Sequence, residues 1–341
     1  MQSKPNILLI YTGGTIGMMK DFNSGALKAF NFNKLLQKIP EIKQLDCTIE
    51  TVSFKKLIDS SNMNPDNWVQ IATIIEDNYD QFNGFVVLHG SDTMSYSASA
   101  LSFMLENLSK PVVFTGSQLP IGDLRTDAKE NLITAIQIAS LQLKGKPTIQ
   151  EVCLYFEYKL YRGNRTTKIN AEHFNAFSSP NYPDLAESGV HLNINSSALF
   201  AKANKKLFVH KQLDDNVVII KMFPGINESV MAAIIAIPNL KGIVLETYGS
   251  GNAPTQDWFI QLLQKAITSG LHIINVTQCS GGSVSMGHYE TSTKLKEIGI
   301  ISGKDITTEA AITKLMYMLG QNVAPNNFKN LFETSLRGEM E

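Results

Sequence analysis

Ile7 to Gly17 reads ILLIYTGGTIG, and Phe85 to Thr93 reads FVVLHGSDT. In both, a short apolar run breaks at once into a glycine turn carrying hydroxyls or a carboxylate. PVVFTGSQLP, from Pro111 to Pro120, repeats the idea, and Val152 to Phe156 adds a fourth apolar run. Apolar runs without polar alternation fit strands of a parallel sheet covered on both faces. Between them, Asp66–Tyr79, Ser95–Leu108 and Asp127–Leu143 place apolar residues three and four apart, the spacing of helices with one buried face. The alternation predicts an α/β fold whose larger N-terminal domain, residues 1–195, is a doubly wound, mostly parallel sheet. Sheets of that kind carry their chemistry beyond the C-terminal ends of the strands.

Phe174 to Ser197 (FNAFSSPNYPDLAESGVHLNINSS) has two prolines and little periodicity, and reads as an irregular stretch leading into a linker over 196–211. Beyond it, NVVIIKMFPG, KGIVLETYGSGNAP and LHIINVTQCSGG again end apolar runs in turns. GINESVMAAIIAI, Thr255–Ser269 and TTEAAITKLMYMLG supply helices. A second, smaller α/β domain over 212–341 is expected.

A chain of 341 residues exceeds one typical core and suits two domains. Its formal net charge of -1 gives no basic field for nucleic acid or an anionic membrane. No apolar stretch approaches membrane-spanning length. The start, MQSKPNILLIYTGG, breaks into glycine after four apolar residues, too soon for a signal-peptide core. Cys47, Cys153 and Cys279 are far apart, with neither metal-ligand spacing nor an even number for disulfides. A cytoplasmic protein without a metal is the simplest expectation.

The turns admit several readings. TGGTIG lacks the GxGxxG spacing, and GxxxxGK[ST] occurs nowhere, so nucleotide binding is disfavoured. Thr12 and Thr15 either cap the following backbone or serve chemistry. Asp92 either caps the helix beginning near Ser95 or grips a cation. His89 is at least as well explained by a bond to neighbouring backbone as by catalysis. Ser117 and Gln118 either bind a polar ligand or satisfy the sheet's ends. In YKLYRGNRTTK (Tyr158–Lys168), Arg162 and Arg165 fit a solvated loop or an internal salt bridge. Lys168 differs. If the sheet brings it beside Ser91 and Asp92, burial lowers its proton affinity while Asp92 raises it, the setting of a general base or proton shuttle.

These segments resemble the bacterial-type L-asparaginases, the cytoplasmic type I enzymes in particular. The likeness runs through DSSNM (Asp59–Met63), LYRGNRTTK, YGSGNAP (Tyr248–Pro254), VTQCSGG and the closing SLRGE, besides the three turns. The resemblance implies hydrolysis of L-asparagine to L-aspartate and ammonia without a cofactor, by homodimers or tetramers built from two dimers. It implies Thr15 as nucleophile, with Ser91, Asp92 and Lys168 as a proton-handling set. Asp59 and Ser60 would hold the amino and carboxylate ends of the substrate, with help from Asp92. Ser117 and Gln118 would flank its amide, and Asn252 would reach the site of a partner subunit. The chemistry agrees, since amide hydrolysis needs a nucleophile, donors for an oxyanion and a proton for the departing ammonia.

Three positions depart from the pattern. Ser91 stands where the family usually has threonine, keeping the hydroxyl but losing the methyl that restricts its rotamer. Ala26 stands where a lid tyrosine is expected, and Tyr248 lies in another element. Glu246 stands where cooperative type I enzymes place an arginine that binds a regulatory asparagine, so activation by asparagine is expected to be absent or altered. Two relatives of the reading are a glutamine-preferring hydrolase and the ammonia-supplying amidotransferase subunit. The latter normally carries an extra N-terminal domain, whereas this chain begins at its first strand. A non-catalytic amino-acid-binding protein would need Asp59, Ser60 and Asp92 but not Thr15, Ser91 and Lys168 together.

Overall fold

The computed structural model describes residues 4–20, 27–29, 39–200, 204–287 and 290–341, and every count or absence below refers to these. The chain divides into two compact units, Met1–Lys211 and Gln212–Glu341.

The first unit is built on an eight-stranded sheet. Its strands are β1 (Asn6–Gly13), β2 (Thr48–Ile58), β3 (Gly84–Leu88), β4 (Val112–Thr115), β5 (Val152–Phe156), β6 (Lys159–Arg162), β7 (Ala186–Ser188) and β8 (Leu192–Ile194). The order across the sheet is β8-β7-β6-β5-β4-β3-β1-β2. From β2 to β5 all pairings are parallel, and β6, β7 and β8 extend the edge in antiparallel fashion. The four apolar runs read as strands are the four central strands. Both faces of these strands are covered. Ile7, Leu9, Val86, Leu88, Val113 and Cys153 pack with helix Ala128–Ser140, while Leu8, Ile10, Phe85, Val87 and Phe114 are equally buried. Double burial explains the missing polar alternation.

Four of the eight strands, β2, β6, β7 and β8, were not expected. β2 (TIETVSFKKLI) is an edge strand, largely exposed and rich in charge, so no apolar run marks it. The stretch Phe174–Ser197, expected to be irregular, contains β7 and β8, each three residues long and too short to show a period. Phe208–Val209, in the expected linker segment, pairs with Leu105–Glu106 of the first unit.

Register places the turns. Tyr11 lies opposite Leu88, and Leu88 opposite Thr115, so β1, β3 and β4 end level with one another. In β2 the pairing jumps from Tyr11↔Ser53 to Gly13↔Ile58, and the inserted residues bring Asp59 to the same edge.

The second unit has a four-stranded parallel sheet, β9 (Val217–Lys221), β10 (Gly242–Thr247), β11 (His272–Thr277) and β12 (Ile301–Ser302), in sequence order. Helices Glu228–Ile235, Asp257–Thr268 and Thr308–Gly320 lie where the helical spacing predicts them. At its end, Lys314 and Glu339 form an ion pair with both side chains fully buried. The ammonium also donates to the carbonyls of Phe332 and Thr334, each at 2.7 Å, and the carboxylate accepts from the Leu336 and Arg337 amides.

Candidate active site

The level ends of β1, β3 and β4 let three turns touch. Gly14 has φ 85°, and a Cβ there would stand 2.5 Å from the Gly90 nitrogen. A Cβ on Gly90 would stand 2.5 Å from Ser60 Oγ. Only glycine allows both the backbone conformation and this approach. Thr15, which follows Gly14, opens a short 3₁₀ turn directly beside the segment bearing Ser91 and Asp92. Thr12 takes a different role. It is buried and donates to the Leu88 carbonyl at 2.9 Å, tying β1 to β3.

Ser60 is buried, and its carbonyl accepts from Thr93 Oγ1 at 2.7 Å, joining the DSS turn to the GSDT turn. Asp59 caps its own turn by accepting from Ser61 N at 3.0 Å and Ser61 Oγ at 2.8 Å. Those bonds, the backbone one first, hold the exposed Asp59 carboxyl below its ordinary range, so it is an anion at neutral pH.

Lys168 comes from beyond β6. Lys168 Nζ donates to Ser91 Oγ at 2.9 Å and to Asp92 Oδ1 at 2.7 Å. The approach to the lysine is itself buried. Arg162 pairs with Glu151 at 2.6 Å and lies 4.3 Å over the Tyr182 ring, and Arg165, 2% exposed, lies 5.2 Å from the same ring. Of the two readings for Arg162, the internal salt bridge is the one found. Asp92 does not cap the following helix, whose N-cap is Thr93; its Oδ1 accepts from Lys168 instead.

The third turn is braced from behind. Asp127, at the head of helix Ala128–Ser140, accepts from the amides of Gln118 (2.9 Å) and Leu119 (3.1 Å). Asn131, one turn later, donates to the Gly116 carbonyl at 3.0 Å. Ser117 is buried, with its hydroxyl given to the Leu119 carbonyl at 2.6 Å. Gln118 Oε1 faces Ser91 Oγ at 3.2 Å. Asp127 and Asn131 were not among the expected site residues. Their i, i+4 spacing at a helix start is the one sequence signal of this brace.

His89 lies beneath, fully buried. Its Nδ1 is 2.7 Å from the Gly90 carbonyl and its Nε2 is 2.8 Å from Ser97 Oγ, which accepts from Trp68 Nε1 at 2.9 Å. Ser97 therefore donates to Nε2, and a neutral imidazole donates from Nδ1. Burial pushes its pKa down to about 4, which keeps it neutral. It holds the turn in shape by bonding neighbouring backbone.

A basic group from one segment thus meets a hydroxyl and an acidic group from another at one strand edge, beside a second hydroxyl on a glycine turn. The model of the asparaginase N-terminal family matches residues 6–200, and that of the glutaminase/asparaginase C-terminal domain matches residues 216–332. The chain belongs to the asparaginase family.

Escherichia coli L-asparaginase 1 is 41% identical over 338 residues, covering 99% of this chain and 98% of that protein. The crystal structure of L-asparaginase I from Vibrio cholerae superposes with a TM-score of 0.91 at 40% identity, covering 99% of each chain. The thermostable L-asparaginase from Thermococcus kodakarensis gives 0.90 at 33% identity, covering 98% of this chain and 99% of that one. Within this asparaginase-family chain, the expected residues fall in two places. Thr15, Asp59, Ser60, Ser91, Asp92, Ser117, Gln118 and Lys168 belong to the first unit, and Asn252 to the second, where it bridges to Tyr248 in the turn after β10. Glu246 accepts from Thr308 Oγ1 at 2.7 Å, with Lys221 Nζ 3.8 Å away. Ala26 lies outside the described residues. The described residues contain no helix long and apolar enough to cross a membrane.

Proposed function

We propose that this asparaginase-family protein hydrolyses the side-chain amide of L-asparagine to L-aspartate and ammonia. The observation that carries the reading is Lys168 Nζ, 2.9 Å from Ser91 Oγ and 2.7 Å from Asp92 Oδ1, at the strand edge where the Thr15 turn packs. Thr15 attacks the amide carbon, and the β-aspartyl ester that forms is cleaved by water. Lys168, held by Asp92, moves protons through Ser91 to the departing ammonia. The first backbone N–H groups of the turn at Ser91 have no partner within that turn and are suited to the developing oxyanion, where one donor is worth about 3 kcal/mol.

A free amino acid brings an ammonium and a carboxylate that both require partners. Asp59 and Asp92 take the ammonium, and Ser60 stands by the carboxylate. Ser117 and Gln118 border the amide end. Asn252 would come from a second copy of the chain, in a homodimer or a dimer of dimers. Helix Glu228–Ile235 favours such a partner, because Met231 is its one buried residue while Val230 and nearby Phe223 and Ile237 stay exposed. The chemistry requires no metal or cofactor, and a cytoplasmic site of action fits three unpaired cysteines.

Ammonia release from asparagine and from glutamine, by the protein and by Thr15→Ala, tests the reading. Release from asparagine that vanishes in the variant is expected. Preference for glutamine would move the substrate by one methylene, a discrimination worth only about 1–3 kcal/mol. Full activity in Thr15→Ala would remove the nucleophile. We further infer that the rate follows simple saturation with asparagine, since Glu246 offers a carboxylate no positive charge. A sigmoidal curve would count against that.

A further inference from the structure

We propose that Gln118 is a positioning residue that fixes the rotamer and the proton direction of Ser91, and with it the geometry of the Ser91–Lys168 pair. This rests on the function proposed above but not on any contact of Gln118 with substrate.

The orientation of the Gln118 amide follows from its neighbours. One end lies 3.2 Å from the Ala171 carbonyl oxygen and 3.0 Å from that of His173. Carbonyl oxygens only accept, so that end is the NH₂ group, with one hydrogen for each. The other end, Oε1, is then an acceptor 3.2 Å from Ser91 Oγ, and Ser91 must donate to it. The Lys168 ammonium has only donors, so Ser91 accepts from it at 2.9 Å. The polarity of the hydroxyl is settled: lone pair toward Lys168, proton toward Gln118.

The bonds close a circuit. Ser91 bonds Lys168; three residues after Lys168 the chain reaches Ala171; Ala171 and His173 bond Gln118; Gln118 bonds Ser91. Asp127 anchors the backbone of Gln118 from outside the circuit. Serine has no β-methyl to restrict χ1, and no rigid neighbour is needed if a fixed acceptor does the same work. Gln118 supplies that acceptor and also holds the loop that follows the lysine.

Gln118→Leu keeps the approximate volume and removes the circuit. The expected result is a fall in kcat of about five- to tenfold, the scale of one lost hydrogen bond, with KM changed by less than about threefold. Ser91→Thr, which adds a methyl, tests the cause. Placed in the Gln118→Leu background it is expected to restore kcat to within about twofold of Ser91→Thr alone, because a β-branched residue restricts its own χ1. A purely structural loss would not respond to that methyl. The proposal is overturned if Gln118→Leu lowers kcat equally in both backgrounds, or leaves it unchanged. Crystal structures of the protein and of Gln118→Leu give a second readout, with Ser91 expected in one rotamer in the first and in another or several in the second. An unchanged single rotamer overturns the proposal. If the unaltered protein releases no ammonia from asparagine or glutamine, the proposed function fails, while the rotamer comparison still decides the role of Gln118.

Discussion

Lys168 and Asp92 form an ion pair of 2.7 Å in which the lysine side chain is 17% exposed and the aspartate side chain 65% exposed. A pair so open on one side contributes little to stability, on the order of 1 kcal/mol or less. Its substitution therefore reads out chemistry more than folding.

Lys168→Met is expected to lose at least about 100-fold in kcat for ammonia release, the lower range for a positioned proton-transfer group. Thermal unfolding shifts by no more than a few degrees. Activity within a few-fold of the unaltered protein would mean that protons reach the leaving group by another route.

His89 makes the first unit sensitive to acid. Its folded pKa of about 4 lies below the unfolded value near 6.5. The unfolded chain thus takes up the proton first as pH falls. The contribution is complete above about pH 6.5 and is lost progressively toward pH 4, amounting to roughly 3 kcal/mol. Urea unfolding of the protein and of His89→Gln at pH 7 and pH 4.5 checks this. The variant is expected to be less stable at neutral pH, because the bonds to Gly90 and Ser97 change, yet to lose less between the two values. Equal losses would show that carboxylates alone set the acid limb.

Much of this was readable beforehand. The four central strands announced themselves because burial on both faces demands unbroken apolar residues. The three hydroxyl turns were legible because glycine must stand where Gly14 meets Gly90. The pairing of Lys168 with Ser91 is legible only conditionally, since the two are 77 residues apart and no local pattern encodes which strands are neighbours. β2 was invisible for the opposite reason: an edge strand carries charge rather than apolar residues. The bond of His89 to neighbouring backbone is among the alternatives read from the sequence. The support that Trp68 and Ser97 give it, and the brace from Asp127 and Asn131, act through single hydrogen bonds between separate elements that leave no period.

The Lys314–Glu339 pair predicts a third outcome. Both side chains are fully buried, and burial pushes the lysine below its usual range while the glutamate opposes that shift. Glu339→Gln leaves an ammonium short of its counter-charge and is expected to destabilise the second unit by about 3–5 kcal/mol. Lys314→Met combined with Glu339→Leu is expected to recover part of that loss. Denaturant unfolding of the three forms decides, and a harmless Glu339→Gln would mean that the Phe332 and Thr334 carbonyls suffice for the lysine.

The level register of β1, β3 and β4 also governs when the first unit can act. Asn6 pairs with Thr48, and Ile7 with Gly84, so the central strands join only after long stretches of intervening chain have been gathered. Pairings of that kind are late events in folding. Thr15, Ser91 and Gln118 come from three different strand ends, and none is aligned with another until those ladders close. On the proposed function, turnover is therefore a property of the finished sheet: a collapsed intermediate with every helix formed still lacks the assembled site, because Lys168 has not yet found its place beside Ser91.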